Sequence, residues 1–126
     1  MGELGTEHWE FADDGTAATA SALRGRLVAG PAEHWLRSSL GRQLAVLSNG
    51  ERAMVALLDG PGDPGEHATD PDADPAEWSD GFILANGQAD AYPDPDTVPL
   101  ERALAVAAHL LAHATPPPDA SWSVDR

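Results

Sequence analysis

Gln43-Leu44-Ala45-Val46-Leu47-Ser48-Asn49-Gly50-Glu51-Arg52-Ala53-Met54-Val55-Ala56-Leu57-Leu58 decides the fold. Two apolar-rich runs flank Asn49-Gly50, a dipeptide that accepts the positive φ needed at both central positions of a type I′ turn. The spacing predicts a hairpin, with one strand from Gln43 to Ser48 and the other from Glu51 to Leu58. Ala53 to Leu58 is apolar without a break, as expected of a central strand covered on both faces. The same logic recurs downstream in Phe82-Ile83-Leu84-Ala85, then Asn86-Gly87, then Gln88 to Tyr92. Two such hairpins predict an antiparallel sheet.

Outward from the first hairpin, Glu33 to Arg37 reads as a further strand. Glu7 to Phe11 reads as an opening strand, with Trp9 and Phe11 on one face by period-2 alternation. Thr16 is placed to cap a helix from Ala17 to about Val28, which Gly30-Pro31 ends. In that helix Leu23, Leu27 and Ala20 would form the buried stripe. Leu100 to about His113 is a second helix, with Pro99 in its first turn and Pro116-Pro117-Pro118 beyond its end. At 100° per residue Leu100, Leu104, Ala107, Ala108 and Leu111 share its apolar face. Ser121 to Val124 alternates and reads as a last strand. Trp35 and Tyr92, each in a predicted strand, are expected in the core. The chain is therefore expected to be a single α+β domain: an antiparallel sheet of about five to six strands with two main helices.

Composition bounds the rest. The chain has 126 residues, 42% of them apolar and 22% charged, which suits one folded domain with a modest core. No apolar run approaches the roughly 20 residues that span a bilayer, and Met1 to Asp14 offers neither a basic residue nor an apolar block for a leader. Cysteine is absent, which removes disulfides, thiolate zinc sites and cysteine nucleophiles. A cytoplasmic protein is expected. Twenty-one acids face seven bases, all arginine, for a net charge of −14. Twelve of the acids fall between Arg52 and Arg102, where no base occurs. Such a stretch repels phosphate backbones, excluding direct nucleic-acid binding, and draws a basic partner. A surface that merely keeps the protein soluble is the alternative.

No catalytic constellation is present. His109 and His113 stand at i and i+4, a spacing that can chelate zinc, but Leu110 occupies the place of the metalloprotease glutamate and both point away from the apolar stripe. Asp70-Pro71-Asp72-Ala73-Asp74 opens like a calcium loop, yet Pro75 and Gly81 stand where glycine and glutamate are required. Ser38, Ser39, Ser48 and Ser79 lie in no nucleophile elbow. The glycine-rich Gly60-Pro61-Gly62-Asp63-Pro64-Gly65 lacks the lysine and hydroxyl residue of a phosphate loop. The sequence favours a binding protein over an enzyme and calls for no cofactor and no metal.

Leu44 to Ala53, Pro61 to Ala68, Asn86 to Pro93, Val98 to Ala103 and Pro118 to Trp122 resemble the Imm1 family of immunity proteins. The resemblance covers about residues 33–126 and implies one Imm1-like domain over 1–126. It implies a small α+β protein of a bacterial polymorphic toxin system that binds a cognate toxin and blocks it. The toxins are often of the deaminase superfamily, so the implied partner is a basic toxin domain, with a zinc-dependent deaminase as a candidate. The resemblance carries no catalytic residues. A small metal-dependent enzyme and a general acidic interaction module remain the alternatives.

The partner is expected on the long acidic loop from Asp59 to Asp80. That loop supplies Asp63, Glu66, Asp70, Asp72, Asp74, Glu77 and Asp80, with Asp94 and Asp96 at the rim. Trp78, an aromatic among acids, would be the anchor.

Overall fold

The structure, a computed structural model, describes residues 7–126. The reading of the N-terminus as lacking a leader falls in part on residues 1–6, outside the described residues. The elements run β1 (Trp9–Phe11), α1 (Ala20–Val28), β2 (Ala32–Ser38), β3 (Gln43–Ser48), β4 (Arg52–Leu58), β5 (Glu66–Ala68), β6 (Trp78–Ile83) and β7 (Ala89–Pro93). A 3-10 turn (Asp94–Asp96), β8 (Val98–Pro99), α2 (Leu100–His113) and β9 (Trp122–Val124) follow. Seven strands form one antiparallel sheet in the order β1-β2-β3-β4-β5-β9, with β8 paired to the start of β4. β6 and β7 form a separate two-stranded sheet. The α+β expectation holds, with one more strand in the main sheet than expected. Among the described residues no helix is long and apolar enough to cross a membrane.

Alternation decides which face is covered. Leu36, Leu44, Val46, Ala53, Val55 and Leu57 point to one side and form the core with Trp9, Phe11, Leu23, Leu27 and the buried residues of α2. Met54, Ala56 and Leu58 point the other way and are half-buried, so the second cover of β4 is partial. Leu47 and Phe82 are buried outside that core, and β6 packs on β2 and β3. The β6–β7 hairpin therefore lies across the face opposite the helices. It does not reach Trp35, which shares a cross-strand row with Ala45 and Ala56 and is 37% exposed, contrary to the core expectation. Tyr92 is half-buried, its ring edge-on to Phe82 with centroids 5.2 Å apart.

Both hairpins form, but neither uses the expected type I′ turn. Ala114 is the only non-glycine described residue with positive φ, so Asn49 and Asn86 cannot occupy left-handed turn positions. In the first hairpin the turn centres on Gly50-Glu51. There Asn49 Oδ1 accepts from Glu51 N (2.9 Å) and Arg52 N (2.7 Å), standing in for a backbone carbonyl. In the second, Gly87 N donates to Leu84 O (2.9 Å) and Gly87 takes φ 88°, a three-residue loop ending in a left-handed glycine. Asparagine contributes its side chain; glycine alone supplies the positive φ.

Other expectations shift by a few residues. α1 begins at Ala20 with Thr19 as its cap, because Thr16 spends its hydroxyl and N–H on Asp14 Oδ1 and the chain stays extended through Ala18, whose N–H meets Trp9 O. Ala18 is buried in place of the exposed Ala20. α2 has the expected span, although Pro99 precedes its first turn as the N-cap residue. Its buried face is Ala103, Leu104, Val106, Ala107 and Leu110, turned by about 70° from the expected stripe. The rotation follows from packing on three sides. α2 rests on β4, meets α1 along one flank, and on the other faces a cleft where Val106 lies beside Ala68, Val98 and Ala120.

The segment expected as one long loop is interrupted by strand structure. It contains β5 and yields its last three residues, Trp78, Ser79 and Asp80, to β6. Gly65 (φ +84°) sits where a Cβ would lie 2.9 Å from Leu57 O, a close approach that only glycine permits. Beyond β5, Asp70 N donates to Pro95 O (2.9 Å), and Asp70 and Asp74 each accept from a backbone N–H two residues on.

Candidate functional site

The seven arginines organise the acids. Arg24 pairs with Glu101, Arg26 with Asp13 and Asp14, Arg37 with Glu10 and Arg42 with Glu7, while Arg52 and Arg102 share Asp70 and Arg126 gathers Asp59, Asp63 and Glu66. Every base thus has an internal carboxylate.

This accounting divides the ten residues expected to meet a partner. Asp63 and Glu66 are held by Arg126, and Glu66 Oε1 also accepts from Trp122 Nε1 (2.7 Å). The Arg126 guanidinium, with the N–H of Asp59, holds the Asp63 carboxyl at about 2. Asp70 is 5% exposed and receives Arg52 Nη2 at 2.7 Å and Arg102 Nη1 at 3.3 Å. Burial pushes its carboxyl up, but the hydrogen bonds of Arg52, Asp72 N and Arg102 outweigh it, and the net shift is downward. Asp70 is a structural ion-pair partner, so its expected role as a rim acid is corrected. Asp96 accepts from His67.

Asp72, Asp74, Glu77, Asp80 and Asp94 remain without a basic partner among the described residues; Trp78, next to Glu77 in the chain and lining one hollow with Asp80, is 61% exposed, while Asp72 lines the cleft beside α2. The structure adds Glu51, a residue distant in sequence. Asn49 Nδ2 donates to Asp80 O (2.9 Å), tying the first hairpin turn to β6 and bringing Glu51 beside Trp78. Between Ser79 and Phe82 the ladder is bulged: Asp80 and Gly81 (φ +82°) oppose the single residue Ala91. The bulge and the small Ala91 leave a hollow of about 440 Å³ lined by Asn49, Glu51, Trp78, Ser79, Asp80 and Ala91. Glu51 was not legible as a site residue because nothing local marks it; only the turn-to-strand contact does.

His109 and His113 lie together near the end of α2 with ring centroids 4.5 Å apart, and His109 Nδ1 donates to Thr115 O (2.7 Å). Among the described residues no group of three or more His, Asp or Glu side chains is placed to hold a metal.

His67 carries a pH dependence. Its Nδ1 lies 2.7 Å from Asp125 Oδ2 and its Nε2 3.0 Å from Asp96 Oδ1, so the ring satisfies both only as the imidazolium. Burial opposes that charge, but the two carboxylates prevail and its pKa is raised. The stabilisation is complete below the unfolded value of about 6.5 and fades as pH rises through the higher folded value. His34 shifts the opposite way, lowered by burial and by the charge of Arg26, so the comparison must be made by variant. In urea unfolding between pH 6 and 9, His67→Gln is expected to remove a fall in stability with rising pH that the unmodified protein shows. An identical pH slope in both proteins would contradict this.

No family model matches the chain, and no curated protein sequence is significantly similar to it.

Proposed function

We propose that this chain is an immunity protein that binds a cognate bacterial toxin through the acidic face around Trp78 and blocks its active site or substrate channel. One observation carries the reading. The chain spends all its arginines on its own carboxylates, while the acids flanking an exposed tryptophan on the outer hairpin have no internal counter-charge. A surface of that kind attracts a basic protein and offers it an apolar anchor. A toxin that acts on nucleic acid needs a positive channel, which the acids complement. The partner that fits best is a zinc-dependent deaminase, which takes a single base into a deep pocket whose mouth one projecting element can cover. The resemblance to the Imm1 family read from the sequence over residues 33–126 supports the biological class. On this reading the protein acts in the cytoplasm, needs no cofactor, performs no catalysis, and touches neither nucleic acid nor membrane.

The test is inhibition and binding kinetics against the toxin domain encoded beside the protein. Activity should fall to background at a near-stoichiometric ratio. Trp78→Ala should weaken binding by about 2 kcal/mol, mainly through faster dissociation. Neutralising Asp72, Asp74 and Glu77 together should slow association and flatten its salt dependence. Absence of inhibition at equimolar ratio sinks the immunity reading. Unchanged rates in both variants place the docking face elsewhere.

A further inference from the structure

We infer that the hollow beside Trp78 is an arginine-binding site, which takes one guanidinium of the docked partner between the indole and the carboxylates of Glu51 and Asp80. The inference rests on the reading that this face docks a basic protein, and it names the side chain that seats there.

The chain itself supplies two templates. The Arg26 guanidinium lies 3.6 Å from the Phe11 ring centroid while bonding Asp13 (2.8 Å) and Asp14 (2.9 Å). The Arg42 guanidinium lies 5.6 Å from the Trp9 ring while bonding Glu7. In each, an aromatic ring and one or two carboxylates hold one arginine. Trp78, Glu51 and Asp80 repeat the composition around a hollow of about 440 Å³ that holds no arginine. The chain cannot fill it, because each of its seven arginines already pairs with a carboxylate elsewhere.

Chemistry selects the occupant. An anion is repelled by Glu51 and Asp80. An ammonium is a strongly hydrated point charge that gains little from an open indole face. A guanidinium is flat and weakly hydrated, stacks on tryptophan, and donates two parallel N–H bonds to a carboxylate. The Asn49–Asp80 hydrogen bond joins the two walls before any ligand arrives, so little ordering remains to be done on binding.

The experiment needs no toxin. The 126-residue protein, labelled at its indole nitrogens, is titrated with N-acetyl-arginine amide, with N-acetyl-lysine amide, and with sodium chloride at matched ionic strength. Trp78→Phe assigns the Trp78 signal. The arginine derivative should shift that signal saturably and bind about fivefold tighter than the lysine derivative. The double variant Glu51→Gln/Asp80→Asn should abolish saturation without changing the melting temperature, since both side chains are exposed. Equal shifts with lysine or salt, or saturation that persists in the double variant, overturn the proposal. Such a failure leaves toxin binding at this face standing, whereas arginine binding by a protein that ignores its toxin would overturn only the docking reading.

Discussion

Arg52→Met is expected to lower the unfolding free energy by about 3–5 kcal/mol, and the melting temperature by roughly 10–20 °C. Arg52 opens β4 and donates to Thr97 Oγ1 (2.8 Å), Thr97 O (2.9 Å), Asp94 O (3.2 Å) and Asp70 Oδ2 (2.7 Å). It therefore ties the main sheet to the end of the 3-10 turn and to the segment that leads into β6. Its removal strands a buried carboxylate and the Thr97 carbonyl together, while Asp94 O keeps the N–H and hydroxyl of Thr97. Arg102 cannot substitute: it reaches Asp70 only at 3.3 Å and is half in solvent, so Arg102→Ala should cost no more than about 1 kcal/mol. Adding Asp70→Asn to Arg52→Met should restore part of the loss, because the orphaned charge is then gone. The acid limb gives a second check. Asp70 has a lowered folded pKa, so its contribution is present above the unfolded value of about 3.9 and is lost as pH falls through the folded value. Below pH 4 the difference between the two proteins should therefore narrow. Equal effects of Arg52→Met and Arg102→Ala in urea unfolding would refute this account.

Phe82→Ala should cost about 3–5 kcal/mol in the region it holds, and on the proposed reading should remove binding of the toxin with it. Phe82 is fully buried between its own hairpin and the main sheet, and is the only large apolar side chain of β6 that is buried. Two hydrogen bonds add to it: Ala85 N to Glu33 Oε1 (3.0 Å) and Asn49 Nδ2 to Asp80 O (2.9 Å). Hydrogen exchange resolves where the loss falls. Amides of β6 and β7 should exchange faster while those of β3 and β4 keep their protection. Uniform loss of protection in both sheets would show that the hairpin does not open on its own.

The fold was legible where local chemistry dominates. Gln43 to Leu58 declared its hairpin, Leu100 to His113 its helix, and Trp9 with Phe11 the inward face of a strand only three residues long. Legibility failed where a distant residue decides. The leucines of α2 suggested the stripe, but alanines mark the closest approach: Ala103 and Ala107 are fully buried, because the helix lies close on β4 and is flanked on both sides. Trp35 reads as core because it lies in a predicted strand, yet burial depends on how far across the sheet the second hairpin reaches. The site divided along the same line. Acids 72–80 and Trp78 were visible as a charge pattern. That Asp70 is consumed by Arg52, and that Glu51 joins Trp78, depends on contacts between residues 18 and 27 positions apart, the pairs 52–70 and 51–78, which no periodicity encodes.

The ladder hydrogen bonds of β6 and β7 are made with each other and none belongs to the seven-stranded sheet; Asp80 O meets the first hairpin only through the Asn49 side chain. On the proposed reading, recognition and folding therefore occupy different mutational territory. Outward positions such as Trp78, Asp80 and Ala91 can be exchanged to follow a changing partner while the register of β1 to β5 stays intact. A lineage under pressure to neutralise new variants could diversify this face rapidly without approaching its stability threshold. Laboratory libraries confined to those positions should likewise yield many folded proteins of altered specificity.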